Sequence, residues 1–381
     1  MLSLIAVTML LLIVDVGNAA SDKIKAQHIA DHAAGAAGVI AARDLNFKAV
    51  TNRAMLANEV VIGQVIGLVS WYEMARTTSN NIALVSGWIP YVNAVTINLS
   101  RALTQLRVPV TQGAEAVVRF QQLVLQTLQT SQWAFHQASW STTLSTLIKV
   151  VEENDSDFEL ALLNHQTLLN LNYLWFQFQR RSVPAGSETY TQLASSSRDP
   201  FSVERTYRWF NLLVARAEKA GGSEISTNSN RVVWQSIDSL GLHVRTLFGR
   251  QETPVGYGGS FLHQRIPLMS SSGFGRSFRI NRRSSSMASR YAFRLHAGHR
   301  VPEQYRLHKN ENPPAITIAV RKRKDEATYL GAVSRYQLHF TRPVRFWPGN
   351  RGESANLFNA LWESAPVHIP AWERELLLWQ V

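Results

Sequence analysis

The uncharged apolar run at the start of the chain constrains its fold more than any other feature. Met1 to Val14, MLSLIAVTMLLLIV, carries no charge, and Asp15, Gly17 and Asn18 break the run. A spanning helix needs about 20 apolar residues, so taken alone the segment matches the core of a secretory signal peptide, with Gly17-Asn18-Ala19 supplying small residues for cleavage before Ala20. The sequence beyond Ala20 does not relax as a mature N-terminus does. It continues Ala-rich and breaker-poor through DKIKAQHIADHAAGAAGVIAARDLNFKAVTNRAMLANEVVIGQVIGLVSWYEMA, a composition that favours helix. One helix from Met1 to about Ala75 is expected, on the order of 110 Å if unbroken, with Gly35, Gly38, Gly63 and Gly67 as places for a bend. Leu4, Ile5, Val7, Leu10, Leu11, Leu12, Ile13 and Val14 are then the candidate membrane anchor. No Lys or Arg precedes them, although a signal peptide and a positive-inside anchor both carry one there.

Beyond this helix the chain has enough apolar residues for a real core. Hydrophobic residues make up 45% and charged residues 17% of 381, far from the signature of disorder. The absence of Cys excludes disulfides, thiolate metal sites and cysteine nucleophiles together. The net charge of +12 is uneven: Arg245 to Arg351 holds 20 Lys/Arg against 5 Asp/Glu, which leaves the remainder slightly acidic.

Thr77-Thr78-Ser79-Asn80-Asn81 reads as a turn, followed by an apolar helix over 82–106 interrupted at Pro90, and by an amphipathic helix from Pro109 to about Val151. GluGluAsnAspSerAsp at 152–157 caps a further expected helix from Phe158 to Arg181, and Ser182 to Ser197 reads as a loop. Asp199-Pro200 opens a helix whose buried face is Phe201, Tyr207, Phe210, Leu213 and Val214, stopped by Gly221-Gly222. From Ser223 the runs are short and β-branched or aromatic, over 231–234, 289–295, 316–321 and 336–341. Three parts are expected: an apolar anchor at 1–20, a helical region at 21–222 and a basic, mainly antiparallel β module at 223–381. The fold class is α+β, and a short amphipathic helix closes the chain after Pro370.

Chemistry is sparse. His28 and His32 stand one helical turn apart with no third ligand in sequence reach, and His296 and His299, with His308 nearby, sit among Arg residues that repel a cation, so neither set reads as a metal site. Gly256-Tyr257-Gly258-Gly259-Ser260 lacks the Gly-Lys-Ser/Thr of a phosphate loop and reads as a tight turn. There is no Gly-x-Ser-x-Gly elbow, and Asp238 and Glu252 offer no evident pairing. No cofactor or metal is expected, and an enzyme is not. The basic runs RSFRINRR, with Arg279, Arg282 and Arg283, and RKRK, with Arg321, Lys322, Arg323 and Lys324, read as solvated surface first. Anionic headgroups or an acidic protein partner come next, and nucleic acid is last for want of any accompanying motif. The aromatic groups Trp133, Phe135, Trp140 and Trp175, Phe176, Phe178 read as core.

Several segments together resemble a known family. After the apolar run come Asp15-Val16-Gly17, an Ala-rich stretch over 33–42, Arg43-Asp44-Leu45-Asn46-Phe47 and Thr51-Asn52-Arg53-Ala54-Met55-Leu56-Ala57-Asn58. This order resembles the N-terminal half of the TadE/TadG-like minor pilins of tight-adherence (Flp) pilus assembly, with weaker echoes at Arg198-Asp199-Pro200-Phe201, Trp234 to Asp238, Val255 to Gly259, Phe340-Thr341-Arg342-Pro343 and Ala355 to Asn359. The resemblance implies a single-pass inner-membrane protein with a periplasmic bulk, whose partners are other pilin-like subunits or the assembly platform. It marks Asp15, Gly17, Arg43, Asn46, Asn52, Arg53 and Asn58 as family-motif positions. Such proteins begin with a basic stretch before the apolar helix, and its absence here points to a start at a downstream Met. The rival from another class is a soluble periplasmic adaptor released by cleavage before Ala20.

Overall fold

The computed structural model describes residues 2–161, 165–182, 188–228, 231–246, 249–268, 274–308, 314–322, 330–341 and 355–379. Helix α1 runs without interruption over Leu2–Val85. After a short 3-10 turn, Pro90 stands at the first position of α2 (Pro90–Gln105), where its missing N–H costs no hydrogen bond, and α3 follows at Arg107–Asn154. The α+β class holds, with a long N-terminal helix, a helical middle and largely antiparallel sheets towards the C-terminus.

Two compact units share these helices. The first comprises residues 1–52, 130–182 and 305–381. Its four-stranded antiparallel sheet has the order β1 (Phe158–Leu160), β9 (Ala315–Lys322), β10 (Gly331–Phe340), β11 (Trp362–Pro366), with Ala332 opposite Val320 and Leu338 opposite Ser364. The Ala-rich stretch of α1 is buried in the same core as this sheet: Ala26, Ala30, Ala33, Ala37 and Ala41 join Ile316, Ile318, Val320, Leu338, Trp175 and Trp362. Small side chains let helix and sheet approach closely. A Cβ at Gly38 would meet the Ser364 side chain at 2.8 Å, and one at Gly35 the Tyr336 ring at 3.3 Å. These glycines seat partner side chains and do not break the helix. Helix α9 (Ala371–Trp379) belongs to the same unit, as do α4 (His165–Asn172), the short strand β2 (Gln179–Ser182) and, from Tyr305 on, its partner β8 (Gln304–Leu307).

The second unit comprises residues 53–129 and 183–304. Its sheet has the order β3 (Tyr207–Asn211), β4 (Ala215–Asn228), β5 (Arg231–Thr246), β6 (Gly249–Leu262), β7 (Phe293–Leu295). The pairs are antiparallel except β6 with β7, which is parallel and so differs from the antiparallel expectation at 289–295. Gly256 and Gly258 lie inside β6 and form no turn. A Cβ at Gly258 would stand 2.1 Å from the Met74 nitrogen and 2.3 Å from the Ser70 oxygen of α1, whereas one at Gly259 would strike the backbone of α8 (Arg282–Arg290). The glycine run therefore lets a strand lie between two helices. Hydrogen bonds follow the same contact: Ser70 Oγ donates to Gly258 O, Thr77 Oγ1 to Tyr257 O and Asn81 Nδ2 to Val255 O.

That contact also explains why 77–81 is helical. The Thr78 hydroxyl donates back to Met74 O and that of Ser79 to Arg76 O, while Thr77 gives its proton to Tyr257 O, so side chains that usually compete with helix are satisfied within it or by β6. Other expectations give way to tertiary packing. Only Pro200–Val203 (α6) is helical in the segment read as helix up to residue 220; the rest forms β3 and β4, and Tyr207, Phe210, Leu213 and Val214 are exposed. Gly221 sits against Asp238, where a Cβ would come within 2.1 Å of its carboxylate oxygen, so burial of that acid between strands outweighs helix propensity. Phe158–Leu160 pairs with β9, and the helix read over 158–181 is confined to 165–172 and a π-turn at 173–177. Helix α5 occupies Glu188–Ser196, inside the expected loop. The boundary at 222/223 falls within β4, and each unit is assembled from separated stretches of chain. Of the aromatics, Trp175 and Phe178 are core, while Trp133 and Phe176 are exposed.

A Gly258→Val chain should unfold at lower temperature, losing about 3 kcal/mol through overpacking. Gly113→Ala in α3, with nothing within 4 Å, should be neutral or slightly stabilising. Thermal unfolding followed by circular dichroism in nonionic detergent checks both.

Candidate functional site

Helix α1 changes character along its length. From Ile5 to Val16 the large apolar residues are exposed, Leu10, Leu11, Leu12 and Ile13 by 60–67%, and nothing lies within 4 Å of where a Cβ would stand on Gly17. The helix is long and apolar enough to cross a membrane, and its apolar stretch is 0% buried. Leu4 lies in the same helix, and Asp15 is exposed at its side. The first residues to engage the body are polar: Asp22 pairs with Lys322 at 2.7 Å, Lys23 Nζ donates to Gly331 O, and Lys25 pairs with Asp155 at 2.5 Å. An amphipathic girdle therefore comes after the bare apolar segment, the arrangement expected where a spanning helix meets the aqueous phase.

Further along, α1 buries charged and polar side chains on its packed face. Lys48 and Asp44 are both fully buried; Lys48 Nζ lies 2.8 Å from Asp44 Oδ2, 2.6 Å from Gln179 Oε1, 2.6 Å from His136 Nδ1 and 4.1 Å from the Tyr305 ring centre. Burial pushes the Lys48 ammonium down to about 8 against the pull of Asp44. Burial alone would raise Asp44, but the Lys48 charge and His136 outweigh it and hold the carboxyl below its ordinary value. Within the second unit Glu59 accepts from Tyr190 Oη, Trp234 Nε1 and His299 Nε2 at 2.7–2.9 Å. Its burial is likewise overcome by His299 and these donors, which lowers the carboxyl. A third knot joins Asp238 to Arg205 at 2.8 Å and Lys219 at 2.5 Å, and these two cations, against burial, lower Asp238 too.

Each knot is buried and its charges are held by specific partners, so its chemistry is cohesive and removing one partner strands the other; Asp44 Oδ1 and His299 Nδ1 alone in the first two knots are left without a hydrogen-bond partner among the described residues. Among the described residues no group of three His, Asp or Glu side chains could hold a metal ion. His28 and His32 have ring centres 6.5 Å apart, and His32 Nδ1 faces Asn154 Oδ1.

The positions that carry the resemblance divide in two. Asn52 is fully buried and donates to Tyr305 O and Leu357 O while accepting from Gln132; Asn46 exchanges hydrogen bonds with both backbone groups of Trp362 at the start of β11. Asn58 caps its own helix carbonyl at Ala54, and Arg43 and Arg53 are exposed. The two basic runs are divided between the units. Arg321 and Lys322 belong to the first unit and are engaged by Glu159 and Asp22. Arg279, Arg282 and Arg283 belong to the second, on α7 (Gly275–Ile280) and α8, where Arg282 stacks on Phe278 and Arg283 meets Glu252. Arg323 and Lys324 lie outside the described residues, as do Arg342 and Pro343.

Sequence reasoning missed Asp44, Lys48, Glu59 and His136. A signal existed: Ala41, Leu45, Lys48, Asn52, Leu56 and Glu59 recur at three- and four-residue intervals, which places the charged members on the apolar stripe. No protein-family model, curated protein or solved structure matches this chain.

Asn52→Ala should cost about 2–3 kcal/mol by stranding two buried carbonyls, Asn46→Ala about 1 kcal/mol, and Arg43→Ala close to nothing, an order that thermal melts of the three variants test. Because Asp44, Glu59 and Asp238 titrate below their unfolded values in the folded chain, their contribution is complete above about pH 4 and is lost as pH falls through the folded values. The melting temperature should therefore hold from pH 7 to 5 and drop steeply towards pH 3; a flat profile over that range would contradict the assignment.

Proposed function

We propose that the chain is a membrane-anchored, pilin-like structural component of a tight-adherence pilus or related secretion system, held in the bacterial inner membrane by α1 with its bulk in the periplasm, and acting through helix packing and protein contacts. The observation that carries the reading is the bare apolar segment of α1, continuous with a helix that buries one face from Ala26 to Ser79. An unsheltered Leu/Ile/Val surface in water is unfavourable by roughly 25 cal/mol per Å², so it requires lipid or another apolar partner. The resemblance of Arg43 to Asn58 and the preceding Ala-rich stretch to TadE/TadG-like proteins supplies the system.

A second exposed apolar stretch supports a role in assembly. Leu84, Val85, Trp88, Tyr91 and Val95, at the end of α1 and on α2, are 68–89% exposed, and no residue of α2 is buried. Five large apolar side chains this exposed within twelve residues of chain are candidates for an interaction surface. The two surfaces are given separate roles: the first holds the membrane, the second meets neighbouring subunits.

Leu11→Arg should move the protein from the carbonate-washed membrane pellet to the supernatant and abolish pilus output, since an arginine at a helix centre costs about 2.5–3.5 kcal/mol to insert. Val95→Glu should leave the chain in the pellet with an unchanged melting temperature and remove pilus output alone. A Leu11→Arg chain that stays in the pellet and supports normal piliation would overturn the reading.

A further inference from the structure

A second candidate site lies in the second unit, unconnected with the anchor. A cleft of about 590 Å³ opens between the start of β5, the residues after β6, the segment after β7 and the face of α3. Arg231, Arg294 and Arg300 line it from one side, and Gln122 and Gln126, one helical turn apart, from α3. None of the three guanidinium groups has an ion-pair partner among the described residues, whereas Arg76, Arg107, Arg205, Arg208 and Arg335 each meet a carboxylate. No carboxylate among the described residues lines the cleft. The nearby acids are occupied: Glu59 by Tyr190, Trp234 and His299, and Glu115 by the His296 nitrogen and Arg119.

The backbone of the cleft is specially shaped. His263 holds φ at +72°, a left-handed conformation that is costly for a residue with a Cβ. Its Nε2 lies 3.0 Å from His299 O, and Arg231 forms a backbone bridge with Arg300, so two of the arginines are tied together at their main chains. The Nδ1 of His299, fully buried at the cleft lining, has no hydrogen-bond partner among the described residues. Strain of this kind persists where surrounding structure enforces it and is concentrated at functional sites. His263 also reports the local field: burial, joined by the charges of Arg231, His299 and Arg294, outweighs the raising effect of the hydrogen bond to His299 O and pushes its imidazole below the ordinary value.

We propose that this cleft binds a phosphate group, with Arg231, Arg294 and Arg300 meeting its charge and Gln122 and Gln126 donating to its remaining oxygens. Guanidinium groups match phosphate in both charge and geometry, with paired parallel N–H donors, and three of them without carboxylate partners suit an anionic phosphoryl group, whose tetrahedrally arranged oxygens accept from several directions, better than a planar carboxylate. The phosphate can belong to a soluble ester or to a lipid headgroup, and the chemistry of the cleft is the same for both.

The test uses the full chain in nonionic detergent at low salt, titrated calorimetrically with inorganic phosphate and, separately, with short-chain phosphatidylglycerol. Saturable one-to-one binding of either is expected. Arg294→Gln and Arg300→Gln should each weaken it about tenfold or more, while the control Arg282→Gln/Arg283→Gln should bind as the parent does. Binding of phosphatidylglycerol alone assigns a lipid headgroup, and binding of inorganic phosphate assigns a soluble source; both support the site. Absence of saturable binding by a cooperatively melting parent chain overturns it, as does an equal loss in the control.

Discussion

Burial of one face of α1 is the constraint on which the other features depend. A helix of 84 residues gains little from its own hydrogen bonds in water and must cover its packed stripe with the rest of the chain. Where that stripe is made of alanine and glycine, sheet residues approach closely, as Ser364 does at Gly38. Where it carries Asp44, Lys48, Asn52 and Glu59, each group is met by a specific partner brought in from distant sequence: Gln179 and His136 for Lys48, Tyr305 and Leu357 for Asn52, Tyr190 and His299 for Glu59. Apolar packing supplies most of the driving force. The polar groups fix which segments pack where along the helix, because a misplaced partner would leave a buried charge unpaired.

The same logic explains the discontinuous units. Strands from 158–160, 315–322, 331–340 and 362–366 form one sheet, and strands from 207–295 another, so the chain returns repeatedly to a helix laid down at its start. Glycines at Gly63, Gly67 and Gly258 mark close approaches in the second unit, where Trp234, Arg205 and the α1 backbone occupy the space a side chain would need.

Features with local signals were legible in the sequence for the same reason. The helical start, Pro90 at the head of α2, strands at 231–234, 316–321 and, up to Phe340, 336–341, and the C-terminal helix depend on nearby residues, and all are present. The features that failed were decided by partners far away in sequence. Gly221-Gly222 reads as a helix stop but serves the burial of Asp238; Thr77 to Asn81 reads as a turn but binds β6; Gly256 to Gly259 reads as a turn but seats two helices. Asn46 and Asn52 were singled out by the resemblance alone, and nothing local marked them as backbone clamps. The cleft was hidden because its arginines, at 231, 294 and 300, belong to no sequence run and are gathered only by the pairing of β5, β6 and β7.

On the proposed reading α1 is one helix, clothed by lipid over its first part and by protein over the remainder. The chain has no Cys, so single cysteines can be placed in an otherwise silent background. The decisive measurement is the rate at which a membrane-impermeant maleimide labels cysteines set singly at Leu10, Ile13, Asn18, Lys25 and Val39 in intact membranes and again after detergent solubilisation. Cysteines at Leu10 and Ile13 should be unreactive until the bilayer is dissolved, while those at Lys25 and Val39, exposed on the packed part of the helix, should label at once. Rapid labelling at Leu10 and Ile13 in intact membranes would contradict a lipid-clothed start.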